Sequence, residues 1–101
     1  MVLVADIGNT NITLGIYKND ELILVSRLAT QRHRTSEQYA IELNAVFNLE
    51  NINGNFEGAV ISSVVPELTR AFKDAIKKVA KVEPLVVETK IKNGLKIATD
   101  N

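Results

Sequence analysis

An apolar run, Met1-Val2-Leu3-Val4-Ala5, stops at Asp6-Ile7-Gly8-Asn9-Thr10-Asn11, and an alternating run, Ile12-Thr13-Leu14-Gly15-Ile16-Tyr17, starts at once. A short continuous apolar run is the pattern of a fully buried strand, and alternation is that of a half-buried one. Glycine and small polar residues between two such runs read as a hairpin turn. The chain therefore opens with two antiparallel strands, and a carboxylate, Asp6, stands where the first one ends. The turn admits two readings. Asp, Asn and Gly favour turns anyway, so it can be a plain connection without a ligand. The same residues also suit a polyphosphate. Gly8 lets the backbone take conformations closed to other residues and lets a ligand come close. Asn9, Thr10 and Asn11 add side-chain donors to the free N–H groups of the turn, and Asp6 can hold Mg²⁺ directly or through water.

Length and composition set the frame for choosing between them. At 101 residues the chain is the size of one domain, with enough length for a core. Hydrophobic residues make up 46%, close to the globular average, which argues against a disordered chain. Twelve basic residues balance twelve acidic ones, so nothing in the charge points to nucleic acid or an anionic membrane as partner. The absence of cysteine excludes a disulfide framework and a thiolate metal site, and fits a cytoplasmic protein. Met1 to Ala5 has no basic flank or cleavage site and is too short to span a bilayer.

Further along, Lys18-Asn19-Asp20-Glu21 is a turn and Leu22 to Leu28 a third strand, which completes a meander. Thr35 and Gln38 form a capping box that opens a helix over Ser36 to Leu49, with Tyr39, Ala40, Leu43, Val46 and Phe47 on one face. Asn51 to Gly58 is a loop, and Ala59 to Ser63 an uncharged strand suited to a sheet centre. Pro66 fits the first turn of a second helix, whose apolar stripe is Leu68, Ala71, Phe72, Ala75, Ile76 and Val79. Pro84 to Glu88 is a fifth strand, and Leu95 to Ala98 one more short strand after the turn at Gly94.

The order β-β-β-α-β-α-β gives a mixed five-stranded α/β sheet: antiparallel strands first, then strands reached by helical crossovers. It is the order of the ribonuclease H-like fold, which serves nucleases and the acetate and sugar kinase, Hsp70 and actin superfamily. A nuclease of that kind needs several carboxylates at the strand ends to hold two metal ions. Asp6 is one, Glu42 lies off the apolar face of its helix, and the fourth strand ends in Ser62-Ser63 rather than in an acid. The kinase reading needs only Asp6 and the donors that follow it.

Four stretches together carry a resemblance. Asp6 to Asn11, Thr30-Gln31-Arg32-His33-Arg34-Thr35, Ile61-Ser62-Ser63-Val64-Val65-Pro66 and Pro84-Leu85-Val86-Val87 resemble, in order and spacing, type III pantothenate kinases. The resemblance implies ATP-dependent phosphorylation of pantothenate, the first step of coenzyme A synthesis, with Mg²⁺ and a monovalent cation, K⁺ or NH₄⁺. It implies an ATP phosphate-binding segment of Asp6, Ile7, Gly8, Asn9, Thr10, Asn11, Ile12 and Thr13, with Asp6 at the metal. It also implies a missing second domain, since the family continues from this region into a Gly-Ala-Asp-Arg motif whose aspartate is the proposed general base. No catalytic base is therefore expected within residues 1–101, which would form the N-terminal domain, and the isolated chain is expected to be inactive. Where the family commonly has Gly-Ile-Lys-Thr-Gly-Leu, this chain has Lys90-Ile91-Lys92-Asn93-Gly94-Leu95, and Thr99 falls at a substrate-lining position that is often tyrosine. The face that should meet the absent domain is expected to be apolar and uncovered. Such patches promote association, so a homo-oligomer, at its simplest a homodimer, is expected.

Other residues have plainer readings. Thr10 and Asn11 can bond their own turn instead of a ligand. Ser62 and Ser63 suit either an active site or the small end of a buried strand. His33 reads as a surface residue rather than a catalytic base, Arg32 and Arg34 as a solvated basic loop with anion binding as the second reading, and Tyr39, Phe47 and Phe72 as core. The alternative function is a non-catalytic nucleotide-binding or regulatory module on the same fold, since members of the family have been labelled transcriptional accessory factors. The neutral charge and the lack of a DNA-reading motif speak against direct DNA contact.

Overall fold

A computed structural model describes residues 1–88. Its elements are β1 (Val2–Ile7), β2 (Asn11–Lys18), β3 (Glu21–Ala29), α1 (Ser36–Leu49), β4 (Gly58–Ser63), α2 (Pro66–Ala80) and β5 (Leu85–Glu88). The strands form one sheet in the order β3-β2-β1-β4-β5. β1 pairs antiparallel with β2, and β2 with β3, while β1–β4 and β4–β5 are parallel. This is the mixed sheet expected from the element order. The strand expected over Leu95 to Ala98 lies outside the described residues.

Local chemistry accounts for the element ends. Between β2 and β3, Asn19 and Asp20 take φ of 53° and 65°. Both residues tolerate the left-handed region, which a two-residue hairpin turn needs at its two central positions. The capping box on α1 is formed: Thr35 Oγ1 accepts from the Gln38 N–H at 3.1 Å, and Gln38 Oε1 accepts from the Thr35 N–H at 2.8 Å. Pro66 lies in the first turn of α2, where its missing N–H costs nothing. Left-handed Lys81, with φ 63°, ends α2, and its N–H donates to the Lys77 carbonyl at 3.1 Å.

Both helices cover the same face of the sheet. Leu3, Ala5 and Ile7 of β1, Ile12, Leu14 and Ile16 of β2, and Ala59 and Ile61 of β4 join Tyr39, Leu43, Phe47, Leu68, Phe72 and Ile76 in one buried cluster. The α2 stripe is slightly rotated from its expected line. Thr69 and Ala80 are buried in it, and Ala71 and Val79 lie at its margin. Among the described residues the other sheet face carries no helix. Val2, Val4 and Val60 are half-buried there, and Val25, Leu85 and Val87 are 53%, 65% and 48% exposed. The apolar run of β1 had read as a fully buried strand, yet within residues 1–88 it is covered on one side only. Among these residues no helix is long and apolar enough to cross a membrane.

Phe72 joins the two helices. It is fully buried and meets Tyr39 edge to face, with ring centroids 5.2 Å apart. Phe72→Ala should cost about 3–5 kcal/mol, as large-to-small core changes at aromatic positions do. That is a sizeable part of the roughly 5–15 kcal/mol that holds a domain together. The drop should appear as a lower urea midpoint with an unchanged slope.

Candidate functional site

The site is built on the carboxyl end of β1. Alternation sends Leu3, Ala5 and Ile7 toward the helices and Asp6 to the open face, where it is exposed. Asp6 pairs with Thr13 on β2 and with Ser62 on β4, so a hydroxyl residue flanks it on each side. Arg27 on β3 pairs with Thr13 and extends the row toward the sheet edge. In open sheets with parallel strands, ligands gather at the carboxyl ends of those strands.

The turn that follows is only partly free. The Gly8 N–H donates to the Asn11 carbonyl at 2.9 Å, so it serves the turn rather than a ligand. A Cβ added at Gly8 would stand 3.2 Å from that same carbonyl oxygen. Gly8 thus sits in a tight approach within its own turn, which a side chain would crowd, and not in the left-handed backbone region. The glycine at positive φ among the described residues is Gly54, at 121°. Asn9, Thr10 and Asn11 are exposed, and the N–H groups of Asn9 and Thr10 have no partner among the described residues. Ile7 and Ile12 point into the core and offer a ligand only backbone. Thr13 is half-buried on the Asp6 side. Thr99 lies outside the described residues.

A second segment, the strap from Thr30 to Thr35, is tied to this turn. The Thr30 N–H donates to the Thr10 carbonyl at 2.9 Å, and Thr30 Oγ1 donates to the Gly8 carbonyl at 2.8 Å. The Tyr39 hydroxyl binds Gln31 in both directions, accepting from its N–H and donating to its carbonyl, each at 2.9 Å. Arg32 bridges two elements: Nη1 donates to Glu67 Oε2 at 2.7 Å and Nη2 to Asn9 Oδ1 at 2.9 Å. The Glu67 carboxyl is held below its ordinary value by its own backbone N–H at the start of α2, and next by Arg32. Arg34 stacks over the Tyr39 ring at 5.9 Å and stands 3.7 Å from Glu42. The basic loop is therefore tethered, not freely solvated, although His33 is exposed as expected. The sequence did carry one signal for the strap. A tyrosine inside an apolar helix stripe brings a hydroxyl that must find a partner.

The two serines part company. Ser62 is half-buried beside Asp6, on the site face. Ser63 is buried on the helix side, where Oγ accepts from the Val65 N–H at 3.1 Å and from Thr69 Oγ1 at 2.9 Å. It organises the start of α2 and does not face the site. No group of three or more His, Asp or Glu side chains converges among the described residues. A lone exposed carboxylate between hydroxyl residues fits Mg²⁺, which keeps most of its waters and takes other ligands from phosphates.

Comparison with known proteins agrees with the motif reading. A family model described as type III pantothenate kinase matches residues 2–101. The chain belongs to the type III pantothenate kinase family. A relative from Finegoldia magna named type III pantothenate kinase is 46% identical over 96 residues, which is 94% of this chain and 37% of the relative. The chain thus spans little more than a third of that relative's length. Two solved structures share the fold. A Bacteroides thetaiotaomicron protein with an actin-like ATPase fold and unknown function matches with TM-score 0.57 and 12% identity, over 87% of this chain and 32% of its own. A ROK hexokinase from Thermus thermophilus matches with TM-score 0.59 and 13% identity, over 86% of this chain and 33% of its own. At such identities the likeness concerns the fold alone.

The two serines supply a test of this geometry. Ser63→Ala leaves the buried Val65 N–H without an acceptor and should cost about 1–3 kcal/mol. Ser62→Ala, on the open face, should stay within about 0.5 kcal/mol of the parent. Urea unfolding of both variants distinguishes them. Equal losses would mean that the serines do not divide their roles in this way.

Proposed function

We propose that the chain is the N-terminal, ribonuclease H-like domain of a type III pantothenate kinase, and that Asp6 to Thr13 hold the phosphates of ATP for transfer to pantothenate. The observation that carries this is the exposed Asp6 at the carboxyl end of β1, directly followed by a turn whose Asn9 and Thr10 N–H groups have no partner among the described residues. Family membership makes a phosphorylated substrate the natural ligand for that arrangement.

In this reading the chain's residues position the phosphates. The N–H groups of Asn9 and Thr10 and the side chains of Asn9, Thr10 and Asn11 donate to phosphate oxygens. Thr13 adds a hydroxyl next to Asp6. Ile7 and Ile12 anchor both ends of the turn in the core, so the donors stay fixed as charge develops. Asp6 would hold Mg²⁺, which would neutralise phosphate charge, and K⁺ or NH₄⁺ would be the second cation. Phosphoryl transfer depends mostly on such positioning and neutralisation. The general base and the adenosine contacts are assigned to the second domain of the parent enzyme, beyond Asn101, and Thr99 to the pantothenate side. The exposed apolar face supports a homodimer, and the coenzyme A pathway a cytoplasmic location.

With the phosphate half of the site alone, affinity should be roughly millimolar, or about 4 kcal/mol. In an NMR titration of this chain, pyrophosphate should shift the amides of Gly8 to Asn11 as far as ATP does. Shifts caused by adenosine alone would contradict the assignment. Asp6→Asn in a full-length family protein carrying this sequence should lower kcat about 10²- to 10³-fold, the range for loss of one preorganised electrostatic group. Pantothenate binding should barely change. A coupled ADP-release assay reads both. Full activity in the variant, or pantothenate-dependent ADP release by residues 1–101 alone, would favour a different location for the chemistry.

A further inference from the structure

The bridge made by Arg32 says more about the phosphate turn than that it is basic. An arginine side chain has only donors, so its partner on Asn9 must be the amide oxygen. Nη2 meets Asn9 Oδ1 at 2.9 Å, which settles the orientation of that amide. With Oδ1 taken, the two Nδ2 hydrogens are left on the other side, and Nδ2 has no partner among the described residues. The guanidinium is itself fixed, because Nη1 lies 2.7 Å from Glu67 Oε2 at the start of α2. The backbone that carries it is fixed as well. Thr30 is bonded to both Gly8 and Thr10, and Gln31 is held by the buried Tyr39. Every link from the core to the Asn9 amide is therefore specified, and the chain of contacts ends at an unpaired donor group in the turn.

We propose that Arg32 is a positioning residue of the phosphate turn. By holding Asn9 Oδ1 it presents both Asn9 Nδ2 hydrogens to the oxygens of a polyphosphate, and Glu67 keeps the guanidinium in register. The proposal rests on the phosphate reading of the turn for its ligand, but its first step concerns this chain alone. Arginine is the residue suited to the task. Its planar fork holds its donors in fixed directions toward two acceptors, whereas the three donors of a lysine ammonium rotate at the end of a flexible stem. Both partners are exposed, so the bridge adds little to folding. Its effect lies in the preorganisation of a donor.

The test uses the whole 101-residue chain, ¹⁵N-labelled, with inorganic pyrophosphate as the probe. Arg32→Gln and Arg32→Lys should leave the melting midpoint unchanged. In both variants the order parameter of the Asn9 side-chain Nδ2 should fall toward that of a free amide, before any ligand is added. Pyrophosphate should bind about three- to tenfold more weakly to each, the loss expected for one misplaced hydrogen bond. Asn9→Ala should cause a similar loss, and the double variant Arg32→Gln/Asn9→Ala should be no worse than Asn9→Ala alone, because the arginine acts through the asparagine. An Asn9 amide indifferent to both Arg32 variants would overturn the proposal. So would additive losses in the double variant, which would make Arg32 an independent charge. If the unaltered chain shows no shift of Gly8 to Asn11 with pyrophosphate, the phosphate reading falls instead. The Asn9 order parameters then still decide whether Arg32 sets the amide.

Discussion

The structure depends on the double pairing of β1. This strand is bonded to β2 on one side and β4 on the other, with Asp6 opposite Thr13 and Ser62, and Ile7 opposite Ile12 and Ser63. Side chains alternate along a strand, so a slip of one residue would exchange the two faces. Asp6 would then enter the cluster of Leu3, Ala5 and Ile7, where an unpaired carboxylate costs several kcal/mol. The hydrophobic pattern that folds the sheet therefore also holds the carboxylate outside. Fold and site are fixed by one register.

The helices extend that control to the turn. α2 begins directly beyond the end of β4, where Ser63 and Thr69 organise its start, and the Val64 N–H donates to the Ile7 carbonyl at 3.1 Å. α1 begins where the strap ends, at the capping box of Thr35. Both helix N-termini thus follow segments bonded to β1 or its turn. The partial positive charge of helix N-termini favours anions nearby. Glu67 in the first turn of α2 already uses this field, and its low carboxyl value reflects the N–H that it accepts there.

Much of this was legible in the sequence because it follows from periodicity and turn chemistry. The meander, the bounds of α1, its capping box and the place of Pro66 all rest on local signals. Other features depend on contacts that no local window contains. Tyr39 lies in an apolar stripe and reads as core, but its hydroxyl is bonded to Gln31, eight positions earlier. Arg32 reads as solvated until Glu67, 35 positions away, is seen beside it. Gly8 reads in the sequence as a source of backbone freedom, yet it has no positive φ, and what it meets is the nearby Asn11 carbonyl. Ser62 and Ser63 are identical in the sequence and separate only when the register assigns them to opposite faces.

The one disagreement in the pattern is also the most informative. Met1 to Ala5 has the continuous apolar character of a strand covered on both faces, and β1, β4 and β5 pair in parallel, an arrangement usually covered on both faces. Within residues 1–88 only one face is covered, and Val25, Leu85 and Val87 stand about half exposed or more on the other. That open face is the one on which Asp6, Thr13 and Ser62 emerge. An element laid across Val4 and Val60 would bury apolar surface at roughly 25 cal/mol per Å² and would at the same time form a wall beside Asp6. Whatever covers this face therefore completes the core and walls the carboxyl end of β1 at the same time.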